Sequence, residues 1–243
     1  MNQVNATADA DAKVLRISMD AKATVKVGDF SRGGKKRVLV KTADHDFQAS
    51  AKVTPVGILL PRFDELFLVC VISKVTSDCL VDVLELWWQH ARERYDQVRT
   101  LVINLDNGPE NQSHRTQFLK RLVDFAQTYR LSIELAYYPP YHSKYNPVER
   151  CWGILENHWS GDILDTIETV VNFARTMTWK GNAPMVRLLT TIYHTGVRLT
   201  KQAMTEVEKH VERLSGLERW FLKISFVFGS LAGKMGINSG SRG

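Results

Sequence analysis

Cysteine is scarce in this chain, and its spacing excludes more than its number does. Cys70, Cys79 and Cys151 are the only thiols, and none falls in a CxxC or other zinc-ligand spacing, so a zinc finger and a disulfide-stapled scaffold are both excluded. Cys70 lies in the apolar run Leu66 to Ile72 and reads as a core residue. Long apolar runs are missing as well: Trp220 to Ala232 is short and interrupted by Lys223, well below the roughly 20 residues that span a bilayer. There is no signal peptide, internal repeat or heptad pattern. A reducing cytoplasm, with no membrane partner, is the expected location.

Acidic residues are outnumbered: 26 Asp and Glu stand against 32 Lys and Arg, a formal charge of +6 and a pI near 9.2. That balance favours a polyanionic partner. Its clustering is more telling, because Arg32, Lys35, Lys36, Arg37 and Lys41 follow one another between Phe30 and Ala43 without an acid. A solvated basic hairpin and a backbone-binding hairpin both fit this composition. With 243 residues, 44% of them hydrophobic, the chain is large enough to bury a full α/β core.

Two acidic motifs carry the chemistry. In LVINLDNGPEN, Leu101 to Leu105 reads as a buried strand and Asp106 stands where it stops, before the turn formers Asn107, Gly108 and Pro109. In YYPPYHSKYNPVERCW, Pro139 and Pro140 end another strand, and Asn146-Pro147 opens a helix with Glu149 in its first turn. Each carboxylate has a structural reading too. Asp106-Asn107-Gly108 has the composition of a plain turn, and Asn146 to Glu149 is shaped like a capping box. Upstream, Leu15, Ile17 and Met19 alternate with Arg16, Ser18 and Asp20, a half-buried strand with Asp20 on its polar face. Thr24 to Val27 reads as a hairpin partner of that strand, ended by Gly28.

The pieces ISMDAKATVKVGDFSRGG, HDF, LDNGPEN, PPYHSKYNPVERCWGILENHW and MTWKGNAP resemble the DDE transposases of bacterial insertion sequences, specifically the Rhodopirellula-type family, from about Val14 to about Phe221. The resemblance implies an RNase H-like core, two Mg²⁺ ions for which Mn²⁺ can substitute, and cleavage and joining of double-stranded DNA at transposon ends and target. It implies Asp20, Asp106 and Glu149 as the catalytic and metal-binding set, with Asp20 bridging. A homo-oligomer is a further candidate partner, and the location becomes the bacterial nucleoid. Hard cations take oxygen ligands and need one or two protein carboxylates each, so three acids suffice when DNA phosphate completes the shell. A nuclease of the same fold, and an inactive remnant that binds DNA or a transposase subunit, are the competing readings. Full-length members carry an N-terminal helix-turn-helix region that this chain is expected to lack, and its tail VFGSLAGKMGINSGSRG has no counterpart in the family.

The expected fold class is therefore α/β, an RNase H-like mixed sheet flanked by helices with a C-terminal helical extension. The expected division is a lead-in at 1–13, a catalytic core at 14–160, a helical extension at 161–222 and a flexible tail at 223–243. Strands are expected at Val14 to Asp20, Thr24 to Val27, Leu66 to Ser73, Leu101 to Leu105 and Ile133 to Tyr137. Helices are expected from Ser77, with Leu80, Leu84, Trp87, Trp88, Ala91 and Tyr95 inward, and from Phe118 to Tyr129. Beyond Gly161, helices are expected at Ile163 to Thr176, Met185 to Tyr193 and Thr200 to Leu214.

The smaller motifs are read in the same way. On the Glu149 helix, Val148, Trp152, Leu155 and Trp159 form a packing face without chemistry, and Glu156 is the decoy for Glu149. DNA-contacting candidates are Arg32, Lys35, Lys36 and Arg37, with His142, Ser143 and Lys144 before the helix. His45-Asp46 reads as structural. Trp179 either stacks on an unpaired base or pins its loop to the core.

Overall fold

The computed structural model describes residues 1–29, 49–139 and 145–226. Its elements in chain order are α1 (Asn2–Ala10), β1 (Val14–Ala21), β2 (Val25–Val27), β3 (Ala51–Leu60), β4 (Glu65–Val71), α2 (Ser77–Ala91), β5 (Thr100–Leu105), α3 (Thr116–Tyr129) and β6 (Ser132–Tyr137). After these come α4 (Glu149–Trp159), α5 (Ile167–Thr176), β7 (Met185–Leu189), α6 (Lys201–Glu208), β8 (Val211–Arg213) and β9 (Phe221–Ile224).

The strands form one mixed sheet in the order β7-β4-β3-β1-β5-β6-β9-β8, with β2 paired to β3. Within the central five, β4-β3-β1-β5-β6, only β3 runs against the others. This is the RNase H-like plan expected of an α/β chain whose antiparallel strands precede its strand–helix alternation. Side-chain alternation divides the core. Leu15, Ile17 and Met19 of β1 pack with α2 and α3 on one face, while Ser18 and Asp20 point to the face covered by α4 and α5.

The strand β3 lies outside the sequence expectation because Pro55 and Gly57 interrupt its apolar run. Its pairing explains the tolerance. On one side β3 pairs with β1 through Val56 to Leu59 and with β2 through Ala51 to Val53. Pro55 falls between these two partners, where its carbonyl accepts from the Lys22 N–H at 2.8 Å and no ladder donor is required of it. For the same reason β2 is not the hairpin partner of β1: both pair with β3.

Two C-terminal expectations are corrected. Met185–Leu189 is the strand β7, parallel to β4, and not the start of a helix. Its β-branched surroundings (Val186, Thr190, Thr191, Ile192) favour an extended edge strand. The helix expected over Thr200 to Leu214 ends at Glu208, and Val211–Arg213 pairs with β9 instead. Leu214, expected inside, is 55% exposed. The C-terminal region thus supplies α5 and α6 but also three strands, which extend both edges of the sheet. The lead-in contains α1, held by the double contact of Arg16 of β1 with Asp9. All three cysteines are buried and free.

Candidate active site

Asp20 and Asp106 are set side by side by the register of the central strands. Ser18 of β1 pairs with Asn104 of β5; Asp20 lies two residues further along β1, and Asp106 two residues beyond Asn104, just past the end of β5. Glu149 reaches this end of the sheet as the first residue of α4.

The start of α4 is tied to β1 by a buried network. Asn146, fully buried, accepts from Ser18 Oγ at 2.5 Å and donates to the Met19 carbonyl at 3.1 Å. The Val148 N–H donates to Ser18 Oγ at 3.0 Å. The capping box expected at Asn146 is therefore not formed: Val148 holds the N-cap position, without a side-chain cap. Burial explains the change, because an amide inside the protein needs partners for both its ends and β1 offers them.

Electrostatics shows the convergence. The Asp20 carboxyl is raised from 3.8 to about 7, chiefly by burial, and the charges of Asp106 and Glu149 push it further up. Hydrogen bonds from Trp152 and from the Ala21 backbone act the other way. Asp106 is held by its own turn: its Oδ1 accepts from the Gly108 N–H at 3.0 Å and from Asn111 Nδ2 at 2.9 Å. Tyr137 of β6 fixes Asn111 in turn, donating to its carbonyl at 2.8 Å. The turn and the candidate ligand are thus the same residue, as the composition of the motif allowed.

An all-carboxylate donor set suits a hard divalent cation, and three such groups within electrostatic reach fit the two-ion site that the resemblance implies. Among the described residues, however, no three His, Cys, Asp or Glu side chains already lie close enough together to hold a metal ion.

Trp152, assigned above to a packing face without chemistry, instead touches the site. Its indole N–H donates to Asp20 Oδ2 at 2.6 Å. The indole lies over Gly57, which is the ladder partner of Asp20. A Cβ built on Gly57 would come within 2.7 Å of Trp152 Cη2 and 3.0 Å of Val148 Cγ2. Gly57→Ala is expected to destabilise the fold by about 1–3 kcal/mol through overpacking. Gly153→Ala on α4, where a Cβ meets nothing within 4 Å, should stabilise it by about 0.5–1 kcal/mol. Thermal melts of the pair are expected to shift in opposite directions, and a Gly57→Ala protein as stable as the parent would contradict the close approach.

Glu156 is accounted for by packing. It pairs with the Lys22 ammonium, whose side chain is only 9% exposed, and accepts from Trp159 Nε1 at 2.6 Å. Its charge is not among the influences on Asp20. Glu156→Gln should cost about 1–3 kcal/mol of stability, since it leaves a nearly buried cation with a neutral partner. A melt unchanged from the parent would contradict that role.

The cationic candidates Arg32, Lys35, Lys36 and Arg37, the loop residues His142, Ser143 and Lys144, and the His45-Asp46 dipeptide lie outside the described residues. On α3, Arg121 bridges Asp78 and Asp82 of α2 and so ties the two helices together, while Lys120 pairs with Asp124 within α3. Trp179 is 8% exposed, and its backbone pairs with Asn182 across Lys180-Gly181 at 2.8 and 2.9 Å. It pins a tight turn to the core.

Asn146, Ser18, Trp152, Gly57 and Asn111 are the site-shaping residues that sequence reasoning missed. The available signal was Ser18, a polar residue on the same face as Asp20, two positions before it.

The chain matches the family model described as the Rhodopirellula transposase DDE domain over residues 1–225. No curated protein matches it. Among solved structures it is similar to the Mos1 transposase paired-end complex with left transposon end, at 10% identity and a TM-score of 0.47, over 65% of this chain and 46% of that one. It is also similar to a pre-cleavage Mos1 transpososome, at 10% identity and a TM-score of 0.46, over 71% of this chain and 51% of that one. The chain thus spans about half the length of either.

Proposed function

Because this chain belongs to the Rhodopirellula transposase DDE domain family, we propose that it is a transposase catalytic unit that cleaves and joins double-stranded DNA at transposon ends. The observation that carries this reading is geometric: the register of β1 and β5 and the start of α4 bring Asp20, Asp106 and Glu149 to one end of the sheet, where the charges of the latter two act on Asp20. The catalytic core we assign is residues 14–160; the segment that completes its sheet runs on past the expected boundary at 222, because Lys223 and Ile224 belong to β9.

Asp20, Asp106 and Glu149 would hold two Mg²⁺ or Mn²⁺ ions. When bound, such ions activate the attacking oxygen and stabilise charge on the phosphorus and the leaving oxygen. In strand cleavage, water attacks phosphorus and the P–O3′ bond breaks, the departing 3′ oxygen taking up a proton. In joining, that 3′ hydroxyl gives up its proton and attacks a phosphorus of the target, whose own P–O3′ bond breaks as the departing 3′ oxygen takes up a proton. The protein's own part is to position. The Asn146 network fixes the entry of α4 and so the place of Glu149, Asn111 and Gly108 orient Asp106, and Trp152 orients Asp20. Binding an ion would also discharge the mutual repulsion of the acids.

A non-catalytic, DNA-binding reading draws on the formal charge of +6 and the basic run of Arg32, Lys35, Lys36, Arg37 and Lys41. One assay separates the two. Purified protein is incubated with supercoiled plasmid and Mn²⁺, and nicked and joined products are scored for the parent and for Asp20→Asn, Asp106→Asn and Glu149→Gln. Activity in the parent that all three variants lose supports the catalytic reading. A folded parent that binds DNA without cutting it supports the other, and nicking without any joined product points to a nuclease.

A further inference from the structure

A groove of about 710 Å³ opens where β2, β3 and the end of β4 meet. Three lysines, Lys26, Lys52 and Lys74, and the hydroxyls of Thr24, Thr54 and Ser73 line it beside an apolar wall of Ile72, Val75, Ile192 and Tyr193, and no carboxylate lines it among the described residues. All three lysines are exposed. Lys52 and Lys74 take part in no ion pair among the described residues. The Thr24 hydroxyl, just before β2, and the Thr54 hydroxyl of β3 are hydrogen-bonded to each other at 2.8 Å.

Lys26 and Lys52 are direct partners in the β2–β3 ladder. Val25, Val27 and Val53 alternate with them and point into the core under α4 and α5, so both lysines project from the opposite face of the sheet. The chain that joins these two strands carries Arg32, Lys35, Lys36, Arg37 and Lys41. The lysine pair therefore stands at the foot of the most basic stretch in the sequence.

Lysines interleaved with hydroxyl groups, with no carboxylate in the lining among the described residues, match the contacts that proteins make to phosphate oxygens. We propose that this groove holds the sugar–phosphate backbone of duplex DNA. It is separate from the place where bonds break, because Asp20 lies on the other face, beside α4. Thr54 is three strand residues from Gly57, the partner of Asp20, or about 10 Å along β3. The groove thus holds backbone flanking the reacting phosphate and adds affinity without reading sequence. This inference rests on the reading of the chain as a protein that acts on DNA.

The test is fluorescence anisotropy with a labelled random-sequence duplex, in EDTA to prevent cleavage, over a range of salt concentrations. The parent is compared with Lys52→Ala/Lys74→Ala and with a control, Lys13→Ala/Lys223→Ala. Lys13 precedes β1 at the end of the sheet opposite to Asp20, and Lys223 is on β9, four strands from β3. Both doubles lower the formal charge from +6 to +4. All four lysines are exposed, so the melts should match the parent's. The groove double should flatten the slope of log K against log salt by about 1.8, that is about 0.9 for each phosphate no longer neutralised, and weaken binding at low salt at least about tenfold. The control should do neither. Equal effects in the two doubles would reduce the groove to net charge, and no effect in the groove double would remove it. Plasmid cleavage by the parent keeps the two readings apart. A parent that cuts DNA while the groove double binds normally loses only the groove, and one that binds through the groove without cutting loses only the catalysis. A parent that neither binds nor cuts loses both.

Discussion

Asp106→Asn will fold and melt like the parent but lose metal-dependent cleavage by about a thousandfold or more. The structure explains both halves of this result. Asp106 Oδ1 accepts from the Gly108 N–H and from Asn111 Nδ2, two donors that require an oxygen at that place. In the variant the amide oxygen takes this position and the turn survives. The amide NH₂ is then left where the second carboxylate oxygen stood, so a cation would meet a donor group of the wrong polarity and without charge. Loss of one ligand's charge from a two-ion site removes several kcal/mol of transition-state stabilisation, and about 4 kcal/mol is already a thousandfold. The measurement is plasmid nicking with Mg²⁺ and with Mn²⁺, beside a thermal melt. Undiminished turnover in a folded Asp106→Asn protein would take this residue out of the site. Asp106→Ala is the poorer probe, because it removes the turn as well as the ligand.

The parts of the fold that were legible in the sequence are those where one local pattern is sufficient. Alternation marks β1, apolar runs ended by turn formers mark β5 and β6, and helical periodicity marks α2 and α3, whose inward residues Leu80, Leu84, Phe118 and Leu122 are all buried. Illegible elements are those whose reason is a distant partner. Pro55 is compatible with β3 only because β1 ends and β2 begins on either side of it. Val211 leaves the helical pattern because Ile224 is there to pair with it. The same distinction runs through the site. The three candidate carboxylates come from a strand alternation, a strand end and a helix start, together with the family resemblance. What Asn146 and Trp152 do could not be read in that way, since Ser18 and Asp20 are some 130 residues earlier in the chain. A capping-box pattern and a helical aromatic stripe were sound local readings, overridden by hydrogen bonds to β1.

The metal-free protein should be strained by its own active site, and Asp20→Asn should relieve the strain. The Asp20 carboxyl is raised from 3.8 to about 7, so the folded state holds this proton more tightly than the unfolded chain does. Its contribution to stability is then fully present below pH 3.8 and is lost as the pH rises through about 7. The interval from 3.8 to about 7 sets a ceiling of about 4 kcal/mol, which partial solvation reduces to about 1–3 kcal/mol. Asparagine imitates the protonated acid and keeps an oxygen for the Trp152 indole. The variant should therefore match the parent near pH 4 and exceed it at pH 8, by roughly 2 to 10 °C in melting temperature for a chain of this size. Comparing the two proteins at each pH cancels the acid-sensitive ion pairs they share. Millimolar Mg²⁺ at pH 8 should raise the parent's melting temperature and leave the variant's nearly unchanged, because ligand that binds only the folded form stabilises it. A variant less stable than its parent at pH 8 would mean that Asp20 is held as a structural carboxylate. The ordinary logic of a buried, well-paired acid would then replace that of a site kept repulsive until a cation arrives.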